Sequence, residues 1–341
     1  MRSEEGVNFM RPLFRIAVLA SALLPTAAAA AAQPHYRVVA QLPAGDGGWD
    51  ILSVDAADQR LYIGRTDGVT AIDLATGKAT DRIVPGQRVH AALAIPGTHE
   101  VISTNGESNT ATLFDGRTGR VRATIATGKK PDAAAYDPAT RTLWVMDAGS
   151  GEATVIDPAT AKVLATVPIG GSLEFAVVDG KGRLYVNVED KNDVAVIDTR
   201  ARKLLSRFPL QGCDGPTGLA YDPATRELVS ACANGVAVVS APDGRQIARL
   251  TIGKGADGAA FDPKRHLVLI PAGRDGNLSV IRLQPAPAVV EQIATAVSAR
   301  TIALDPATGR AYLPSAKLAP PVGNERPKPV PGTFRVIVVA P

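Results

Sequence analysis

The stretch that decides the fold is Asp-Pro-Ala-Thr-Arg-Thr-Leu-Trp-Val-Met-Asp-Ala-Gly-Ser-Gly-Glu-Ala-Thr-Val-Ile-Asp, residues 137–157. It begins with a turn signal, continues through a short apolar run, and passes a glycine-bearing turn into a second run with period-two alternation. Runs of this length, rich in β-branched and aromatic residues and bounded by turns, are typical of strands rather than helices. The stretch therefore predicts two adjacent antiparallel strands.

The same pattern recurs along the whole chain. One anchor, an apolar pair that usually ends in Asp, occurs at Ile72-Asp73, Phe114-Asp115, Ile156-Asp157, Ile197-Asp198, Val239-Ser240, Ile281-Arg282 and Ile337-Val338. Its successive positions are 42, 42, 41, 42, 42 and 56 residues apart. A second anchor, the turn before an apolar run, has a similar spacing at Asp55, Ile95, Asp137, Asp179, Asp222, Asp262 and Asp305. Two independent anchors with one period indicate an internal repeat.

Each repeat has room for four short strands, which is one blade of a β-propeller. Seven repeats therefore predict an all-β fold, a seven-bladed β-propeller with four strands per blade. The segment 35–42 resembles a fourth strand, and the chain ends at 334–339 with a segment that resembles a third strand. We expect the N-terminal strand to complete the last blade and close the ring, which removes exposed sheet edges.

The composition is that of a folded protein. The chain has 341 residues, of which 45% are hydrophobic and 21% charged, with a formal net charge of +4. This excludes a collagen-like chain, a coiled coil and a disulfide-dense miniprotein, and the charge is too small to indicate a nucleic-acid or membrane partner by itself.

Residues 1–32 have the pattern of a secretory signal. Arg11 and Arg15 lie before an apolar stretch, 16–24, that is too short to span a bilayer. Small residues, suited to cleavage by a signal peptidase, follow this stretch. We expect a signal peptide at 1–32, a single propeller at 33–341, no membrane span, and a monomer located in the periplasm or secreted.

The strands also carry a family resemblance. Leu61-Tyr62-Ile63, Leu143-Trp144-Val145 and Leu184-Tyr185-Val186-Asn187, each followed by a Val-Ile-Asp-type strand, resemble the YVTN-repeat propellers, and most of all the exported YncE-like proteins. The resemblance covers the mature chain and implies periplasmic residence and a contact with single-stranded DNA. It transfers no binding residue, and propellers host many activities.

The alignment of the repeats places one polar residue of each blade at the mouth of the central channel. The position five residues before the second anchor is Asp50, His90, Asp132, Glu174, Thr217, Asp257 and Arg300. We predict that these seven residues, here called the mouth ring, bind a ligand, with Trp49 beside them to stack on it. The alternative is a solvated polar rim in which Arg300 pairs with neighbouring acids.

Four carboxylates facing one opening repel one another, so their pKa values should rise unless a cation is present. We predict a divalent metal held by Asp50, Asp132, Glu174 and Asp257. Carboxylates suit calcium or magnesium, whereas His90 suits zinc or another transition metal. Further ligands are expected from the loops between the second and third strands, at Asn105, Asp147, Asn187, Glu189 and Asn277.

The last repeat is 14 residues longer than the others, and the extra length falls at about 314–332. This insertion contains six prolines, so we expect it to be extended and to lie on the face of the mouth ring, as a lid or docking loop. A plain surface loop is the alternative.

Cys213 and Cys232 are the only cysteines. Because both lie in one blade of an exported chain, we predict that they form a disulfide rather than a redox or metal site.

Three functions remain open. We favour a non-catalytic propeller that binds a small molecule or a protein at its channel mouth, because the sequence has no c-type haem motif, nucleophile elbow or Walker loop. The second is a metal-dependent hydrolase, a lactonase for example, with His90 as general base and Arg300 holding a substrate anion. The third, single-stranded DNA binding, is disfavoured because the mouth is acidic and aromatic residues are few.

Overall fold

The computed structural model describes residues 3–8, 35–321 and 327–341. Residues 3–8 have no regular secondary structure, and the rest of the predicted signal peptide, with its expected cleavage site, lies outside the described residues. His35–Pro341 form one compact unit. No helix within the described ranges is long and apolar enough to cross a membrane.

The compact unit consists of seven antiparallel sheets of four strands each. Blade 1 contains β2 (Trp49–Asp55), β3 (Arg60–Arg65), β4 (Gly68–Asp73) and β5 (Ala79–Pro85), and blade 2 contains β6 (Val89–Ala94), β7 (Glu100–Asn105), β8 (Thr110–Asp115) and β9 (Val121–Ala126). Blade 3 contains β10 (Pro131–Asp137), β11 (Thr142–Asp147), β12 (Glu152–Asp157) and β13 (Lys162–Pro168), and blade 4 contains β14 (Leu173–Val178), β15 (Arg183–Val188), a 3₁₀ turn (Glu189–Lys191), β16 (Asp193–Asp198) and β17 (Lys203–Pro209). Blade 5 contains β18 (Pro216–Asp222), β19 (Glu227–Cys232), β20 (Val236–Ser240) and β21 (Gln246–Thr251), and blade 6 contains β22 (Ala260–Asp262), β23 (Leu267–Ala272), β24 (Asn277–Arg282) and β25 (Ala288–Ala294). Blade 7 contains β26 (Ala303–Leu304), β27 (Ala311–Ser315), β28 (Arg335–Ala340) and β1 (Arg37–Pro43).

The ring closes as the sequence predicts. Strand β1 pairs with β28, in a register that runs from Arg37 opposite Ala340 to Pro43 opposite Arg335. The innermost strands β2, β6, β10, β14, β18, β22 and β26 contact their neighbours around a complete circle. The predicted seven-bladed propeller with four strands per blade is therefore confirmed.

The hydrophobic core lies between neighbouring blades. Between blades 3 and 4, for example, the fully buried side chains of Trp144 and Met146 belong to the same apolar layer as Leu173 and Val186. All residues of the second strand β11 are buried, whereas most of the outermost strand β13 is exposed. Burial of apolar area from both faces of each inner strand stabilises the ring at roughly 25 cal/mol per Å².

The Asp-Pro-Ala-Thr segments are hairpin turns. One carboxylate oxygen of Asp137 accepts a hydrogen bond from the backbone N–H of Ala139 at 3.0 Å, and the other accepts one from the Thr140 hydroxyl at 2.8 Å. This is the Asx-turn geometry that makes aspartate a favoured first residue of a turn. Asp222 and Asp305 make the same contacts with the backbone N–H two residues later, so these aspartates are structural residues of the turns.

A buried polar contact holds the segment just before β1 against blade 6. The Tyr36 hydroxyl donates a 2.7 Å hydrogen bond to Asp262, which also accepts one from Arg265 at 2.8 Å. The backbone N–H of Tyr36 donates to Glu291 at 3.1 Å. The residue just before β1 is thus fixed to a second blade, in addition to the sheet that β1 completes.

The predicted disulfide between Cys213 and Cys232 is present. Both cysteines are buried, and the bond ties the loop before β18 to the end of β19 within blade 5. It closes a sequence separation of 19 residues, which stabilises a fold by about 3 kcal/mol through the lost entropy of the unfolded chain.

The insertion of blade 7 begins later than predicted. Pro314 is paired within β27, so the connection runs from 316 to 334 rather than from 314. Its two described arms meet in an antiparallel bridge between Leu318 and Pro329. The backbone N–H of Ala319 donates to the carbonyl of Lys328 at 2.8 Å, which gives the base of the insertion a short ladder.

Candidate functional site

All seven residues of the mouth ring line one cavity of about 770 Å³ at the end of the channel. Five of them lie on innermost strands, namely Asp50, His90, Asp132, Glu174 and Thr217 on β2, β6, β10, β14 and β18. The other two, Asp257 and Arg300, lie just before β22 and β26. The repeat alignment thus placed each blade's residue at the same level of the channel.

Three ring residues from consecutive blades converge. His90 Nδ1 lies 2.7 Å from a carboxylate oxygen of Asp50 and 3.7 Å from one of Asp132. One ligand atom of each residue lies within 4.8 Å of the other two, a spacing compatible with a metal ion. We call Asp50, His90 and Asp132 the triad. Of the four predicted metal ligands, Asp50 and Asp132 belong to this cluster, whereas Glu174 and Asp257 do not. The third member is His90, which is predicted mainly as a general base.

Hydrogen bonds between blades fix the backbone of the triad. The hydroxyl of Thr104, which is fully buried on β7, accepts from the backbone N–H of Ala91 at 2.8 Å and donates to the carbonyl of Asp132 at 2.5 Å. The Thr301 hydroxyl donates to the carbonyl of Asp50 at 2.9 Å. The side chains of the triad are therefore presented from a rigid wall.

Burial and neighbouring charges shift the pKa values of two residues of the triad, Asp132 and His90. Burial and the charge of Asp50 raise the pKa of Asp132 to about 7. Burial lowers the pKa of His90, but the hydrogen bond to Asp50 and the charge of Asp132 outweigh it, so that the pKa is raised overall. Desolvation and like charges shift carboxyl groups in this way.

Glu174 is the ring residue without a partner. Its carboxyl group makes no hydrogen bond or ion pair with any residue that the structure describes. Burial, followed by the charges of Asp132 and Asp257, raises its pKa to about 10. At neutral pH the group is therefore protonated, and a cation in the cavity would favour its ionised form.

Arg300 neutralises the opposite side of the ring. Its Nε donates to Asp257 at 2.7 Å and its Nη2 donates to the carbonyl of Trp49 at 3.0 Å, while Nη2 lies 3.6 Å from Asp50. Burial raises the pKa of Asp257, and the contact with Arg300 partly offsets that rise. This pairing is the arrangement of the polar-rim alternative, but it involves only Arg300, Asp257 and Asp50.

Trp49 does not offer an open stacking surface. Its residue surface is 7% exposed, and its ring packs against Phe334 with a centroid distance of 5.4 Å. The guanidinium of Arg300 lies 5.7 Å from its centroid. Trp49 lines the cavity, but Phe334 and Arg300 pack against its ring, so the stacking of a ligand on Trp49 stays a prediction.

The loops between the second and third strands contribute less than predicted. Of the five residues expected there as extra ligands, only Glu189 lines the cavity. The buried amide of Asn187 instead donates to the carbonyls of Thr217 and Gly218 in the next blade, at 3.1 and 3.0 Å. Asp147 accepts a hydrogen bond from Thr154 at 2.6 Å within its own blade. Asn105 and Asn277 also lie outside the lining.

A basic rim surrounds the acidic floor. The exposed side chains of Arg88, Lys130 and Arg274 line the outer part of the same cavity. Leu318, with Pro327 and Pro329, brings the insertion of blade 7 to this edge. The described arms of the insertion thus lie on the predicted face, beside the ring.

Sequence reasoning missed two buried residues that support the site. Thr104 joins the innermost strands of blades 2 and 3, as described above. Arg65 is 3% exposed and holds the loop before β2, where its guanidinium donates to the carbonyls of Gly48 and Gly45 at 2.8 and 2.7 Å. For Thr104 the available signal was a polar residue in the inner half of a second strand, at a position that is Gly, Met, Ala or Pro in most other blades. Arg65 offered no such signal, because its equivalents Asn105 and Asp147 are also polar.

A second groove of about 920 Å³ lies between blades 4 and 5, at the turns that join their first to second and third to fourth strands, on the face opposite the mouth. Among its lining residues that the structure describes, Arg183 and Asp198 form an ion pair at 2.8 Å, and the cationic side chains of Lys181, Arg200 and Arg226 are exposed to solvent. Solvated charges of this kind contribute little and give no reason to place a ligand there.

Seven four-stranded blades around one polar mouth define a seven-bladed β-propeller. The chain is similar to a chain of Kuenenia stuttgartiensis hydrazine synthase, with a TM-score of 0.66 and 16% identity over 78% of this chain and 92% of that one. It is also similar to a chain of a mitotic checkpoint complex, with a TM-score of 0.68 and 14% identity over 89% and 95% of the two chains. No protein-family model and no curated protein matches the sequence. These likenesses establish the fold alone, and the resemblance to YVTN-repeat propellers stays a prediction.

Proposed function

We propose that the protein is an exported, non-catalytic binding propeller whose mouth cavity takes a small polar molecule with a positively charged group. The observation that carries this proposal is the unpartnered Glu174 in a cavity lined by all seven ring residues. A volume of about 770 Å³ is within the range of small-molecule sites.

The floor and the rim of the cavity differ in charge. An ammonium or similar cation beside Glu174 would pair with its carboxylate and offset the repulsion from Asp132 and Asp257. A negative group on the same molecule would then face the exposed rim residues Arg88, Lys130 and Arg274. The chemistry of the cavity thus favours a zwitterion or a cation with a polar tail.

Binding is favoured over catalysis because Glu174 and His90 are poorly placed to act as a base at neutral pH, which leaves Asp132, with a pKa of about 7, as the candidate base of the cavity. Glu174 is protonated there, and the Nδ1 of His90 is already bonded to Asp50. Metal-dependent hydrolysis of lactones or esters is the second candidate, and the triad is the observation that favours it. Single-stranded DNA binding gains no support, because the floor is acidic and Trp49 is covered.

Export is part of the proposal and has two supports. One is the signal-like sequence at 1–32, and the other is the disulfide Cys213–Cys232, since such bonds persist in oxidising compartments. Cell fractionation with a protease-protection assay tests it, and a cytoplasmic location of the processed chain would contradict it.

Calorimetric titration of the purified protein with amino acids, amino sugars, polyamines and hydroxy acids tests the ligand class. We expect saturable one-to-one binding of at least one compound with a positive group, and a loss of at least tenfold in Glu174→Gln. Glu107→Gln, an exposed glutamate on a loop of blade 2, is the control for charge removal and should bind as the unmodified chain does.

Two outcomes would overturn the proposal. One is that no cationic compound binds and native mass spectrometry of the protein from its own compartment finds no bound small molecule. The other is that Glu174→Gln binds as tightly as Glu107→Gln. A screen of lactones and esters with added divalent metal tests the second candidate function. Turnover that is lost in His90→Ala would show that the protein is an enzyme and would overturn the proposal of a non-catalytic binding protein.

A further inference from the structure

We infer that Asp50, His90 and Asp132 form a three-ligand site for a divalent transition-metal ion, open towards the mouth cavity. The inference deepens the proposed function and rests on the same cavity, but it involves the wall formed by blades 1–3 rather than Glu174. The ligand atoms are His90 Nδ1 and one carboxylate oxygen each of Asp50 and Asp132.

The spacing of these atoms fits a metal with little movement. Ligand atoms about 2.1 Å from a zinc-like ion lie about 3 to 3.5 Å from one another. Here Nδ1 is 2.7 Å from the Asp50 oxygen and 3.7 Å from the Asp132 oxygen, and no pair of the three atoms exceeds 4.8 Å. Shifts of about 1 Å in side chains would complete the geometry while the backbone stays fixed.

The environment of the buried Asp132 side chain is a second observation in favour of a metal ion, independent of the spacing of the ligand atoms. Its side chain is 10% exposed, yet its carboxylate makes no hydrogen bond, and its nearest cationic group is His90 Nδ1 at 3.7 Å. A buried carboxylate without hydrogen bonds is costly, because it loses its hydration without compensation. A metal ion between Asp132 and His90 would supply the missing partner.

The orientation of the imidazole agrees with this role. The other ring nitrogen, Nε2, is buried without a hydrogen-bond partner against Gly106, where an added Cβ would lie 2.7 Å from it. Nδ1 is therefore the ring nitrogen that faces the two carboxylates. Because Thr104 and Thr301 anchor the backbone beside all three ligands, the site is prepared before an ion arrives.

The ligand set selects the class of metal. One imidazole and two carboxylates suit the series from Mn²⁺ to Zn²⁺, and two negative charges match a divalent ion. Calcium takes six to eight oxygen ligands, and this cluster offers oxygens from only two residues. Three protein ligands leave positions that face the cavity, where an anionic part of a bound molecule could coordinate.

The test is titration of chelator-treated, dialysed protein with ZnCl₂, MnCl₂ and CaCl₂ by calorimetry at pH 7.5. We expect one Zn²⁺ per chain, weaker Mn²⁺ binding, and no competition from a hundredfold excess of Ca²⁺. Replacement by Co²⁺ should give a d–d absorption band whose intensity reports the coordination geometry of the bound ion. His90→Ala and Asp132→Asn should each weaken Zn²⁺ binding at least tenfold and abolish this band.

Controls separate a metal effect from a loss of structure. His99→Ala removes a histidine that makes a 2.8 Å contact with Asp58 away from the cavity, and it should bind Zn²⁺ as the unmodified chain does. Asp132→Asn keeps the shape of the side chain, and the thermal unfolding of each variant verifies its fold. If His90→Ala does not fold, Asp132→Asn and Gly106→Ala, which displaces the imidazole, carry the test.

Three results would overturn the inference: no saturable Zn²⁺ binding, Zn²⁺ binding unchanged in both His90→Ala and Asp132→Asn, or Ca²⁺ binding tighter than Zn²⁺ binding. Glu174→Gln distinguishes this inference from the proposed function, because it should keep Zn²⁺ affinity within about twofold while losing the small molecule. If the protein binds zinc but none of the organic compounds, the proposed function is wrong and the inference of a metal site stands.

Discussion

Replacing Glu174 by Gln should change how the stability of the propeller depends on pH. The carboxyl group titrates near pH 4.5 in an unfolded chain and at about 10 in the folded protein. Between these values the folded state binds a proton that the unfolded state has lost, so the free energy of unfolding falls as pH rises. Glutamine resembles the protonated form in shape and lacks this titration.

The size of the effect follows from the shift. One proton difference changes the free energy of unfolding by about 1.4 kcal/mol per pH unit. From pH 7 to pH 9 the unmodified chain should therefore lose about 3 kcal/mol more than Glu174→Gln does. Asp132, with a pKa of about 7, is half titrated where this window begins, but both chains contain Asp132, so its titration contributes to both and the comparison isolates Glu174.

The assay is urea unfolding followed by tryptophan fluorescence at pH 7, 8 and 9, with a chelator present so that no metal ion stabilises the acids. Glu107→Gln is the matched control, because its exposed side chain makes no contact with the cavity. If the unmodified chain and Glu174→Gln lose the same stability over this range, Glu174 is ionised in the folded protein and the argument for its vacant partner fails.

Two further variants test what holds the ring together. Tyr36→Phe removes the buried 2.7 Å hydrogen bond to Asp262 and should lower the free energy of unfolding, measured in urea, by about 2 kcal/mol. The far-ultraviolet circular dichroism should stay the same. An unchanged urea midpoint would mean that the contact does not help close the ring. Replacing Cys213 and Cys232 together by Ala should lower the free energy of unfolding by about 3 kcal/mol, and unfolding the unmodified chain with a reductant present should show a similar loss. If the Ala variant is as stable as the unmodified, oxidised chain, the entropic account of the disulfide is wrong.

The sequence predicted the fold and the level of the ring because both depend on periodicity. A strand alternates its side chains between two faces, and each turn fixes the register between the two strands that it joins. A constant offset from the turn therefore reaches the same height in every blade, which is why Asp50 and Arg300, at opposite ends of the chain, were found by one rule.

Side-chain partners could not be predicted in this way. Trp49 is covered by Phe334, which lies 285 positions later in the chain, and the repeat contains no information on that contact. Likewise, the four acids have equivalent positions, but only Asp257 has Arg300 as a hydrogen-bond donor and only Asp50 has His90. Rotamers and the curvature of the ring decide such pairs.

Blade 5 indicates that the charges of the ring are not needed for folding. Its residue at the same position, Thr217, is neutral, and its hydroxyl donates to the carbonyl of Ala256 in the next blade at 3.2 Å. A hydroxyl thus satisfies the position without any charge. Asp132 and Glu174 occupy equivalent positions with raised pKa values, so each makes the folded state less stable at neutral pH than a threonine-like residue would. Unfavourable groups gathered at one cavity, on a scaffold that accepts neutral ones, are typical of a binding site rather than of a structural rim.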